Sequence, residues 1–355
     1  MKKFYNSILF LFLSFSLLAQ IPNGYYNNAE GKTGYSLKTA LHNIIKNGHQ
    51  ARDYGELYSA YEIGDNDPED GYVWDMYSEN PNDTDPYNFV HYDNKCGNYS
   101  SEGDCYNREH LFPQGVFSSA SPMKTDYHHV VPSDGKVNGM RSNYPFGEVG
   151  SANWTSMNGS KKGNSASPGY SGTVFEPIDE YKGDIARCML YFATRYEDKV
   201  SSWSHDMING TSDQVYTEWF LDLLLKWHEQ DPVSQKEVVR NNTGYNFQGN
   251  RNPFIDHPEY VCKIWSSDCD ETSIYEITHN HFSIYPNPAK NNITIKTENI
   301  LIKKIQLYNL NSQLLVTNNF DDTNVSINIS EQNSGIFILK IHTSEEIYTS
   351  KIVVE

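Results

Sequence analysis

The chain has 355 residues, 38% hydrophobic and 21% charged, with 28 Lys+Arg against 45 Asp+Glu and a formal net charge of −17. At roughly 150 residues per domain, that length leaves room for more than one domain. The negative balance argues against a partner held by bulk charge, nucleic acid included, although a local basic groove or a divalent cation could still meet phosphate.

In chain order, the first 19 residues, MKKFYNSILFLFLSFSLLA, have the form of a signal peptide. Lys2 and Lys3 make the charged start, and an apolar run follows that is shorter than the roughly 20 residues of a membrane span. The expectation is an exported, secreted or cell-surface protein with no stable membrane insertion. Export permits disulfides. Of five Cys, the pairs Cys96/Cys105 and Cys262/Cys269 flank polar loops and are candidate local bridges, while Cys188 in an apolar run reads as a buried small hydrophobe.

Residues 20–275 form one expected domain. In 36–48, Leu37, Leu41, Ile44 and Ile45 fall at helical spacing between a capping Ser36 and a terminating Gly48. Residues 183–198 repeat the pattern, and 217–231 put Trp219, Phe220, Leu223, Leu224 and Trp227 on one face. Between them, 150–172 is rich in Gly, Ser and Asn and reads as a long connection. The acidic stretch DNDPEDG (65–71) lacks the terminal Glu of a calcium loop and reads as a solvated turn. The stretch QGNRNPFIDHPE (248–259) reads as a hydrogen-bonded loop against the core. From 282 to 355 the composition changes to alternating Ile, Val, Thr and Asn with turn signals at Pro286-Asn287-Pro288 and Ser334-Gly335, the pattern of a small all-β sandwich. This tail carries 6 Lys+Arg against 7 Asp+Glu, so the acidity lies in the preceding domain.

Two polar clusters invite chemistry. One is Arg108-Glu109-His110. The other packs Asp126, His128, His129, Asp134, Asn138, Arg141 and Asn143 into 126–148. A zinc site could draw on His110, His128, His129 and Asp126, but neither HExxH nor CxxC spacing is present. Magnesium or calcium prefers a few oxygen donors and keeps waters, which suits Glu109 with an Asn amide oxygen and leaves His110 free as a base.

The motifs REHLFPQ and DYHHVVPSDGKVNGMRSNYPFGEV together resemble the two motifs of the endonuclease I family, secreted or periplasmic nucleases with a ββα-metal (His-Me finger) core. Further blocks at 25–45, 72–81, 183–196 and 248–261 resemble the family's remaining motifs in order, so the resemblance spans about residues 22–266. It implies an α+β fold: a ββα-metal core with surrounding helices. It also implies roles: Glu109 and Asn138 as metal ligands, and His110 as the general base that activates water against phosphorus, giving 5′-phosphate ends. A neutral histidine suits that task at its ordinary pKa of about 6.5. The implied ion is Mg²⁺, with Ca²⁺ or Mn²⁺ as alternatives. The implied partner is DNA, and possibly RNA, cut without sequence specificity.

Asp126 and His128 match positions that orient the metal and base residues, or else a buried hydrogen-bonded pair. Arg141 matches a residue that stabilises transition-state charge or braces Asp126. Residues 111–125 hold no arginine and only Lys124, so Arg108 is the nearest spare cation. Lys124, Lys136, Asn107 and Gln114 are candidate substrate contacts. Lys124, Lys136, Arg141, Lys161 and Lys162 together suggest a local positive groove. The tail, from its Tyr-Pro-Asn-Pro opening to its Gly-Ile-Phe-Ile-Leu-Lys-Ile run, resembles the sorting domains of type IX secretion, which implies that machinery as a second partner. The protein is expected to be a monomer. Two other classes fit the composition: a surface adhesin or glycan-binding protein, and a zinc hydrolase using His128 and His129.

Overall fold

A computed structural model describes residues 21–81, 83–266, 283–297, 301–309, 314–330, 332–343 and 347–354. The expected signal peptide and the expected domain boundary between 275 and 282 lie outside the described residues. The chain divides into two compact units, Met1–Asp268 and Cys269–Glu355.

Helix α1 (Gly34–Lys46) buries Leu37, Leu41 and Ile45, three residues on one face at i, i+4 and i+8. It starts before the expected cap: Thr33 is the extended boundary residue, and Ser36 sits inside the first turn donating to the Thr33 carbonyl. Gly48 ends it at φ 84°, a conformation that favours glycine. Helix α2 (Leu57–Gly64) follows. Strands β1 (Tyr106–His110) and β2 (Val130–Asp134) pair antiparallel in a two-stranded sheet, with His110 opposite Val130 and Tyr106 opposite Asp134. Helix α3 (Gly135–Arg141) leaves β2 directly.

The expected connection at 150–172 is instead a hairpin. Strands β3 (Val149–Thr155), β4 (Lys161–Ser165) and β5 (Thr173–Glu176) form an antiparallel sheet in that order. The mostly exposed residues of β3 hide the period of two that marks strands in sequence. Gly163 lets two of these backbones meet, since a Cβ there would lie 2.1 Å from the Ser151 carbonyl oxygen.

The core is helical. Helix α4 (Lys182–Arg195) is buried along its whole length and packs against α1 and α5 (Glu218–Gln230). Helix α6 (Gln235–Gln248) packs on α2 and opens with a capping box in which Ser234 and Glu237 satisfy each other's backbone amides. The segment after it forms short helices α7 (Pro253–Asp256) and α8 (Glu259–Trp265). As expected, its polar residues bond inward: Asn250 to the Ile45 carbonyl and Tyr191, and Asn252 to the Arg187 carbonyl. Cys96 and Cys105 form a disulfide and Cys188 is free and buried. The second expected pair involves Cys269, outside the described residues.

The C-terminal unit holds strands β6 (Ser283–Tyr285), β7 (Asn292–Lys296), β8 (Ile302–Asn309), β9 (Leu314–Asp322), β10 (Asn324–Asn328), β11 (Gly335–His342) and β12 (Ile347–Val354). They make two sheets, ordered β10-β7-β6 and β12-β11-β8-β9. Ile293, Ile295 and Ile327 of the first meet Ile305, Leu307 and Leu339 of the second in one apolar core.

One buried pair ties α6 to β2. Arg240 bonds Asp65 at the end of α2 and also the Tyr127 and Val130 carbonyls, and the Tyr127 hydroxyl donates to Asp65 at 2.8 Å. Arg240→Ala should therefore cost about 3–5 kcal/mol, because Asp65 is left buried without its cation. Chemical denaturation checks this, and a loss under about 1 kcal/mol would show that the pair is dispensable.

Candidate nuclease site

Side chains alternate along β1, and their contacts follow. Asn107 and Glu109 meet α3: the Asn138 amide donates to Asn107 Oδ1 at 2.7 Å, and Arg141 Nη1 lies 3.0 Å from Glu109 Oε1. Arg108 and His110 meet Tyr54. The guanidinium carbon is 3.5 Å from the Tyr54 ring centre, and the imidazole stacks on that ring at 5.9 Å with planes 28° apart. The structure thus pairs Asn138 with Asn107 and Arg141 with Glu109 on the α3 side of β1, and groups Arg108, His110 and Lys124 around Tyr54.

Helix α3 carries Asn138 because Asp134 caps it, its carboxylate accepting from the Val137 and Gly103 amides at 2.8 Å. Ser133, just before it, points its hydroxyl at the Asp134 carbonyl. Asp75 accepts from the Asp134 amide, anchoring the junction from the other side. Tyr99, on the loop closed by Cys96–Cys105, lies over the glycine face of α3, where a Cβ on Gly139 would meet its hydroxyl at 2.2 Å.

Glu109 is buried, with the Tyr77 hydroxyl 3.5 Å from Oε1. Burial pushes its carboxyl up to about 7, against the pull of Arg141. Arg141 is 1% exposed and donates to the His110 and Leu111 carbonyls. It braces Glu109 and the end of β1, not Asp126, and its burial removes it from the expected surface groove. The Asn138 amide nitrogen is committed to Asn107, and this leaves the amide oxygen as a donor to a cation.

His110 is 4% exposed, and its Nε2 lies 3.0 Å from the Lys124 carbonyl oxygen. A carbonyl only accepts, so Nε2 carries the proton and Nδ1 keeps its lone pair. Burial, reinforced by the neighbouring His129, pulls the imidazole pKa down to about 3, so the ring is neutral at physiological pH.

The remaining expected residues divide. Asp126 is a buried hub: it accepts from the Tyr191 and Tyr196 hydroxyls, Gln248 and the His128 amide. The His128 ring turns to the Asn250 carbonyl and His129 to the Met123 carbonyl, at 3.0 and 2.7 Å. Burial holds both near 4, and neither belongs to a metal-like trio among the described residues, which disfavours the zinc reading. Lys136 lies in the first turn of α3, half-buried, and Gln114 accepts from the Ser119 hydroxyl at 3.1 Å. Among the described residues one carboxylate trio does converge: Asp67, from the acidic turn, with Glu79 and Asp85, their ligand atoms within 4.8 Å of one another. Burial and the two aspartates push Glu79 up to about 9, so it is protonated when no cation is bound. It shares no residue with the Glu109–Asn138 face.

Tyr54 and Tyr77 also belong to the site, touching His110 and Glu109. With 26 tyrosines in the chain, neither carries a signal of its own; only the fold singles them out.

The Endonuclease I family model matches residues 33–259, and the model of the secretion system C-terminal sorting domain matches 283–355. The extracellular ribonuclease of Bacillus amyloliquefaciens is 39% identical over 248 residues, covering 68% of this chain and 78% of the relative. The Bacillus subtilis extracellular ribonuclease is 37% identical over the same shares. The periplasmic deoxyribonuclease of Aeromonas hydrophila is 27% identical over 143 residues, 40% of this chain and 52% of the relative. No described helix is long and apolar enough to cross a membrane. The chain therefore belongs to the endonuclease I family: it is a nuclease that carries a C-terminal sorting domain for secretion.

Proposed function

We propose that this protein is a sequence-nonspecific endonuclease that hydrolyses phosphodiester bonds of DNA and RNA outside the cell, with His110 as general base. The observation that supports it most is the bond from His110 Nε2 to the Lys124 carbonyl. It fixes the tautomer and leaves a neutral Nδ1 able to take a proton from water. The water oxygen attacks phosphorus, the bond to the 3′ oxygen breaks, and the products carry 5′-phosphate and 3′-hydroxyl ends. The β1–β2–α3 arrangement fits a ββα-metal core.

Glu109 and Asn138 offer oxygen donors from one side of β1, a set that suits a hard divalent cation such as Mg²⁺, Ca²⁺ or Mn²⁺. Glu109 also fits on energetic grounds, since Arg141 alone does not restore its ordinary pKa. When bound, such an ion supplies Lewis-acid stabilisation of charge on the phosphate oxygens. Arg141 holds Glu109 and the His110 carbonyl in one register, and Arg108 and Lys124 put positive charge on the His110 side. The carbonyl of Lys124 itself orients the base.

The relatives' names include ribonucleases and a deoxyribonuclease, which supports a broad substrate range. The sorting domain supports delivery through the type IX machinery. The adhesin reading has no observation of its own once family membership is established.

His110→Ala should lower kcat/KM on plasmid DNA roughly 10²–10⁴-fold with the fold intact. Near-normal cutting would remove His110 as the base. Chelation with EDTA should abolish cleavage of both DNA and RNA, and added Mg²⁺ should restore it. Undiminished activity in EDTA would contradict the cation requirement.

A further inference from the structure

Six side chains form a ladder that leads away from His110. Lys124 Nζ lies 4.9 Å from the Tyr54 ring centre, and the Arg108 guanidinium lies between Tyr54 and Tyr58 at 3.5 and 4.7 Å. Lys95 Nζ then sits 5.0 Å from both Tyr58 and Tyr92. Tyr54 itself stacks on His110, so the ladder starts at the base. Its far end is open to solvent, with Lys95 exposed and Tyr92 38% exposed.

We propose that this ladder is a polynucleotide track, holding the backbone phosphates of the strand beyond the bond being cut. This rests on the nuclease reading above and adds where the rest of the substrate lies. The physical argument is charge. A lysine paired with a carboxylate is neutralised, whereas one held over an aromatic face is positioned and keeps its full charge. Among the described residues, none of Lys95, Arg108 and Lys124 has a carboxylate oxygen within 4.0 Å. Arg108 donates one bond to the Tyr54 carbonyl, and its Nε has no hydrogen-bond partner among the described residues. At the outer end Glu62 takes the Tyr92 hydroxyl at 3.0 Å. On a chain of net charge −17, a row of three uncompensated cations beside the base supplies the local field that a polyanion needs. Because phosphates are common to every sequence, such a track also accounts for cutting without sequence preference.

The test compares a 20-nucleotide single strand with a dinucleotide that is too short to reach Lys95. Lys95→Glu should lower the ratio of kcat/KM for the long substrate over the short one by at least fivefold, with Lys95→Arg restoring it. Lys263→Glu on α8 makes the same charge change away from the ladder and should keep the wild-type ratio. The proposal is overturned if Lys95→Glu keeps the wild-type ratio, or if Lys263→Glu lowers it as much, since bulk charge would then explain the effect. A failure of the base assignment shows separately, in His110→Ala.

Discussion

The alternation of side chains along β1 is the constraint on which the site depends. Five residues, Tyr106–His110, are held flat by pairing with β2, so Asn107 and Glu109 face α3 while Arg108 and His110 face Tyr54. One strand thereby separates two kinds of chemistry. The α3 side offers oxygen donors next to a buried arginine. The Tyr54 side holds a neutral imidazole among cations and aromatic rings. Adjacent residues can then do opposed jobs, one negative and one basic, without forming a salt bridge that would cancel both. Arg141 couples the two sides, touching the Glu109 carboxylate and the His110 carbonyl at 3.0 Å each.

Holding so short a strand in place takes a large polar framework. A two-stranded ribbon is marginal by itself. Here its partner β2 is anchored by Arg240, and the residues before it by Asp126, which gathers donors from α4 and α6. The junction of β2 with α3 is fixed from outside by Asp75, and Arg251 and Asn252 lock the segment after α6. These groups are buried and each is held by at least one hydrogen bond, although Arg240 Nε and Arg251 Nη1 have no partner among the described residues. Much of the polar density of 126–148 and 248–259 therefore serves this framework and not the chemistry.

That explains what was legible in the sequence. Helices α1, α4 and α5 announced themselves because an apolar stripe repeats every 3.6 residues, and the C-terminal strands because theirs repeats every two. The REH triplet and Asn138 could be picked out by resemblance. Glu109 and His110 face opposite ways because side chains alternate along a strand, and their contacts follow that alternation. Burial was not legible. Arg141 looked like a surface cation, yet it is enclosed by Glu109, two carbonyls and the Phe146 ring, because a guanidinium's several donors can satisfy a crowded strand end. His128 was expected to orient the site or to form a buried pair with Asp126, and its amide does bond Asp126; in the zinc alternative it joined His129 as a ligand, but each ring serves a main-chain carbonyl. The hairpin of β3 and β4 was hidden for the opposite reason: its exposed polar faces carry no hydrophobic period. Lys95 was unreadable because its meaning lies in Tyr58 and Tyr92, which only the fold brings to it.

The central claim is that Glu109 holds the ion while His110 stays off it. Mn²⁺ binding to the purified protein, followed by the loss of the free-ion paramagnetic signal, tests this directly. His110→Ala should bind Mn²⁺ as tightly as the wild type although it no longer cuts, while Glu109→Ala should bind at least tenfold more weakly. Loss of Mn²⁺ from His110→Ala would make His110 a ligand, and the proposed base would be gone.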